Sequence, residues 1–173
     1  RHEEASTDFE SWVEFFERSF EHIKKLNRTR YFEEMYLGDL VRRIFIRSDW
    51  TFVDFRSRSK FLHNYALVDF DGSIYPSDEA RMLTRTKTVD LSVGSLAEGF
   101  DEEKISQLNF SALNQTNPDC IHCSYLPYCG VDTIDDLSRY GRVDLPKSET
   151  WFCNKQMFLF DWIFEKIKSR NTE

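Results

Sequence analysis

Residues 1–119 contain no cysteine, and the whole chain of 173 residues has only six glycines and four prolines. A composition this poor in glycine and proline, with no internal repeat, excludes a fibrous or low-complexity chain. There is no excess of positive charge: 23 Lys and Arg stand against 30 Asp and Glu, a net charge of −7. Phosphate binding needs a positive face, so nucleic acid is excluded as a primary partner. No apolar run approaches the roughly 18 residues that a bilayer crossing needs, and no membrane partner is expected. The chain also lacks a signal-like segment, a Ser-His-Asp arrangement, a P-loop and a dinucleotide fingerprint. A cytoplasmic location is therefore expected. The chain begins Arg-His-Glu-Glu with no initiator Met, so a domain of a longer protein is expected. Aromatic residues, by contrast, are plentiful at 16% within a hydrophobic content of 40%. That is enough to build one cored domain despite the 31% of charged residues.

All four cysteines lie in the last third, as Cys120, Cys123, Cys129 and Cys153. They read C-x2-C-x5-C, then a gap of 23 residues, then C. A CxxC turn, a third thiol soon after and a fourth returning from a distant helix can wrap one tetrahedral metal or one cubane cluster. Spacing alone leaves zinc and a [4Fe–4S] cluster both open. His122 is a loop residue on this reading, since four thiols already complete a ligand set. Two disulfides in a secreted domain are the rival, with Asn-x-Ser/Thr triplets at Asn27, Asn109 and Asn114. The CxxC spacing favours metal over that rival. Pro118 introduces the CxxC turn, Gly130 leaves backbone N–H groups free to approach sulfide, and the first turn of the last helix favours a thiolate at Cys153.

The expected fold class is α+β: a small hairpin or sheet flanked by helices, a loop-rich four-cysteine cradle and a C-terminal helix. Phe9, Trp12, Val13, Phe16, Phe20, Ile23 and Leu26 recur at helical spacing over 7–27, with a Thr7/Glu10 capping box. A second helix is expected over 30–46, with Tyr31, Met35, Leu40, Val41, Ile44 and Phe45 on one side. Both stripes read as core faces. Trp50–Phe55 and Val89–Val93 read as short strands. Tyr65–Pro76 reads as a hairpin with a tight primed turn at Asp71-Gly72, ended by Pro76. Residues 101–115 read as helical, and 117–146 as a loop with few large apolar residues, ordered largely by metal. A last helix should run from about Ser148 to Lys168. Asp69, Asp71, Asp78 and Glu79 read as turn chemistry, and Asp132, Asp135 and Asp136 as helix capping. Arg56, Arg58 and Lys60 read as a solvated face, and His63 as structural.

Residues 64–83 (NYALVDFDGSIYPSDEARML) and 117–153 resemble the C-terminal SPASM extension of radical S-adenosylmethionine enzymes. The helices carrying Leu26-Asn27-Arg28 and Val41-Arg42-Arg43-Ile44 resemble the segment that joins the catalytic barrel to that extension. The resemblance implies a linking segment over 1–48 and an auxiliary cluster domain over 49–173. The SDEARML wording is most similar to peptide maturases of the His-Xaa-Ser system. In the family the pattern continues with a cysteine at the x3 position, here Thr133, and another ends the hairpin, here Ser77. Those two serve the first auxiliary cluster, so the resemblance implies that this chain has lost it and kept the second, on Cys120, Cys123, Cys129 and Cys153. Ser77 and the hairpin tip would then face substrate or the barrel. The catalytic C-x3-C-x2-C is absent, so S-adenosylmethionine would belong to the missing catalytic domain. The implied partners are that N-terminal barrel and a peptide or protein substrate. The implied cofactor is one [4Fe–4S] cluster, used for electron transfer or substrate positioning, with zinc possible in aerobically purified protein. The alternative is a non-enzymatic, zinc-stabilised protein-interaction module.

Overall fold

The computed structural model describes residues 8–46, Leu62 and residues 66–170. The chain divides into two compact units, Arg1–Phe45 and Ile46–Glu173. The expected strand at Trp50–Phe55, the basic run Arg56–Lys60, His63, Tyr65 and Thr7 lie outside the described residues.

In the first unit, α1 spans Phe9–Leu26 and α2 spans Met35–Phe45. The cap of α1 is Asp8 in place of the Thr7 box: its carboxylate accepts the Ser11 N–H at 3.4 Å. Phe9, Trp12 and Phe16 stack ring on ring along the helix, with centroids 6.1 and 5.6 Å apart. The core reading of the two stripes needs correction. No described residue of α1 is fully buried, and of the α2 stripe only Leu40 is, while Tyr31, Met35 and Phe45 are exposed. The second helix also starts later than 30. Asn27 closes a turn by giving its amide to Phe32 O at 3.0 Å and taking the Phe32 N–H at 2.6 Å. The Glu34 carboxylate then takes the N–H groups of Tyr36 and Leu37, as a cap does.

The second unit is mixed α and β, as expected. Strands β1 (Leu67–Val68) and β2 (Ile74–Tyr75) form an antiparallel hairpin. Its turn is wider than a two-residue primed turn. Gly72 N–H reaches Asp69 O at 3.0 Å, Asp69 N–H reaches Ser73 O at 2.9 Å, and only Gly72 takes a positive φ. Asp71 keeps an ordinary φ because its carboxylate takes the Ser73 N–H at 2.9 Å. Pro76 follows β2 and is buried. The next strand is not Val89–Val93. That stretch runs unladdered, and β3 is Gly94–Ser95, paired with β4 at Gly99–Phe100. Val93 N–H to Ile74 O and Leu96 N–H to Gly72 O, both 2.8 Å, tie the two ribbons together.

Helix α3, Asp78–Arg85, goes unannounced by the apolar pattern because it is short and mostly polar. Ser77 creates it: the side chain caps the helix by accepting the Ala80 N–H at 3.1 Å and is fully buried. Helices α4 (Glu102–Ala112) and α5 (Thr133–Tyr140) follow, capped by Asp101 and Asp132. Ala80, Leu91, Ala112 and Ile134 form the core between α3, α4 and α5. A 3-10 turn, Lys147–Glu149, leads into α6, Trp151–Arg170. No helix among the described residues is long and apolar enough to cross a membrane.

Gly94 sets the β3–β4 approach. Its φ is +139°, and a Cβ there would sit 2.2 Å from Gly99 O. Gly94→Ala should cost about 3 kcal/mol. Gly99→Ala has a φ of +87° but nothing within 4 Å, and should cost nearer ~1 kcal/mol. Urea unfolding of both variants checks the difference, and equal losses would contradict it.

Candidate functional site

The segment 117–129 is a chain of turns. Cys120 N–H bonds Asn117 O at 3.0 Å, Cys123 N–H bonds Cys120 O at 2.9 Å, and Cys129 N–H bonds Tyr125 O at 2.9 Å. Two tyrosines seat these turns on α6. Tyr125 stacks on Phe160 and Phe164 at 5.3 and 6.0 Å, and Tyr128 meets the same two rings at 6.1 and 5.9 Å. The Tyr125 hydroxyl also bonds Asp161. The loop thus has aromatic anchors of its own on α6. Asn114, almost wholly buried, gives its amide to Cys129 O at 2.7 Å. That side chain is spent inside the fold and cannot carry a glycan.

Cys153 stands in the first turn of α6, its N–H on Thr150 Oγ1 at 3.3 Å. Cys120, Cys123, Cys129 and Cys153 all line one cavity of about 470 Å³. All four are free thiols, so the two-disulfide alternative is not formed. Among the described residues, however, no group of three or more His, Cys, Asp or Glu side chains is placed to hold a metal ion. His122 is exposed and is not part of the wall.

The thiols sense one another. Burial pushes Cys120 up to about 11, with the neighbouring Cys153 and Cys123 adding to it. Burial and the other three thiols push Cys129 up to about 12. Cys153 is also raised, by burial first and then by Cys123 and Asp119. This corrects the expectation of a helix-favoured thiolate at Cys153: the Thr150 hydroxyl already occupies its N–H, and desolvation of the sulfur outweighs the dipole. Without a cation these sulfurs hold their protons, so loading the site must release them. Tyr125 N–H lies 3.4 Å from Cys123 Sγ. Beside Gly130, Cys129 Sγ donates to the Gly130 carbonyl at 3.2 Å.

Ser77 and Thr133 do not line this cavity. Ser77 is the buried cap of α3, so it does not face substrate. Thr133 is the buried first residue of α5. The hairpin acids have structural work: Asp69 takes Arg85 in two bonds of 2.9 Å, and Asp78 takes Arg81. Phe70 is exposed under the Arg85 guanidinium. Asp132 caps α5 as expected, but Asp136 does not cap. It is buried in an ion pair with Lys147, Nζ to Oδ2 at 2.6 Å. Burial raises its carboxyl although Lys147 opposes the shift.

Comparisons with family models, with curated proteins and with solved structures return no match for this chain.

Phe160 is fully buried beneath both tyrosines. Phe160→Ala should cost about 3–5 kcal/mol and expose the amides of 120–129 to exchange. Hydrogen exchange checks this, and unchanged protection of that loop would contradict the seating.

Proposed function

We propose that this chain is the [4Fe–4S]-binding auxiliary domain of a radical S-adenosylmethionine enzyme that modifies a peptide or protein. Cys120, Cys123, Cys129 and Cys153 would hold the cluster. The observation that carries this reading is that all four thiols line one cavity of about 470 Å³, as the ligands of a single centre would. The donor set also fits, being all cysteine with a backbone N–H aimed at one sulfur.

When bound, such a cluster supplies a one-electron store of low potential. The chain's own residues do the rest. Cys153 closes the fourth ligand position, which leaves no iron open to substrate. Phe152 and Phe160 on the wall exclude water from one side. The seating of Tyr125 and Tyr128 on α6 sets the distance between the loop thiols and Cys153. A catalytic barrel elsewhere in the same protein, a peptide or protein substrate and a cytoplasmic location belong to this proposal through the sequence resemblance.

Anaerobic reconstitution with iron and sulfide should load about four irons and four sulfides per chain. Replacing any one of the four cysteines by Ala should lower that content sharply. A protein that instead takes up one zinc and no sulfide would refute the reading, and a value near eight irons would mean that non-cysteine ligands complete a second cluster.

A further inference from the structure

Lys147 is 4% exposed, and it is the one cationic side chain among the described residues that line the four-thiol cavity. The carboxylates on that wall are Asp119, Asp132 and Asp136. Lys147 joins the Cys120 turn, α5 and the start of α6. Its backbone N–H donates to Asp119 Oδ2 at 2.7 Å, next to Cys120. Its ammonium donates to Asp136 Oδ2 at 2.6 Å, on the helix that follows Cys129, and to Val143 O at 3.1 Å. Its carbonyl accepts the Thr150 hydroxyl at 2.9 Å, and that hydroxyl in turn takes the Cys153 N–H.

We propose that Lys147 is the positioning residue of the four-thiol site, its ammonium clasping α5 to the turn that leads into α6, and that this buried ammonium is the counter-charge of the loaded centre. This rests on the cluster reading. Four thiolates around a cubane core of charge 2+ leave a net charge of −2, and taking up one electron makes it −3. A fixed positive charge at the wall favours the more negative state. Asp132 is already engaged in capping α5 and Asp119 in holding the Lys147 N–H.

The test uses the full chain as wild type, Asp136→Asn, the double variant Lys147→Met/Asp136→Asn, and Lys147→Arg. The double variant removes the pair without leaving a buried carboxylate alone, so it should fold. In the metal-free protein, the Thr150 and Cys153 amides should exchange about tenfold faster in the double variant than in wild type; equal exchange overturns the clasp. After reconstitution, at equal iron content, the double variant should titrate below Asp136→Asn. The expected gap is a tenfold shift in the reduced-to-oxidised ratio, about 59 mV for one electron. Lys147→Arg should restore the wild-type potential, an effect that a merely structural role would not produce. Equal midpoints in the double variant and Asp136→Asn overturn the counter-charge. Should wild type bind no iron, the cluster reading fails, and cobalt(II) affinity decides the charge instead: a tenfold loss in the double variant upholds it, and equal affinity overturns it.

Discussion

Tyr125 and Tyr128, seated on Phe160 and Phe164, fix how the cysteine loop stands against Cys153. Three thiols come from a run of turns with little regular structure, and the fourth comes from a helix 24 residues further on. Turns alone would not hold that separation. Offset aromatic contacts supply area and direction together, each worth about 0.5–1.5 kcal/mol beyond the burial itself. Around this dock sit polar clasps, Asn114 on the Cys129 carbonyl and Lys147 between Asp119 and Asp136. A buried ion pair such as Lys147–Asp136 adds little net stability, since desolvation offsets most of its attraction. It does make one geometry far better than its neighbours.

This division of labour explains the state of the thiols. Burial raises Cys120, Cys129 and Cys153, and each neighbouring sulfur makes ionisation of the next less favourable. Burial thus disfavours the ionised form at these three sulfurs.

The long periodic elements were legible in the sequence. Phe9–Leu26, Glu102–Ala112 and the last helix lie within a few residues of their expected bounds. Short elements set by single polar contacts were not. Helix α3 depends on the Ser77 hydroxyl, and β3 begins one residue past the β-branched run because Gly94 alone permits the approach to Gly99. The stripe of α2 misled as well: Leu40 is buried, while Tyr31 and Met35 stand in solvent. Within the site, cysteine spacing brought out the four thiols, but the residues that place them leave weaker traces. Asn114 sits in a triplet that reads as a glycan acceptor, Asp136 reads as a helix cap, and nothing in the sequence marks Lys147 as buried. The i, i+3 spacing of Tyr125 and Tyr128 was the one signal in the loop that could have revealed its dock.

The central claim is that these four thiols surround a body with several metal atoms. X-ray absorption at the iron edge of the anaerobically reconstituted protein tests it most directly. The account predicts an all-sulfur first shell together with a metal–metal scattering shell, both lost when Cys153 is replaced. A sulfur shell with no metal–metal scattering, from one ion per chain, would contradict it.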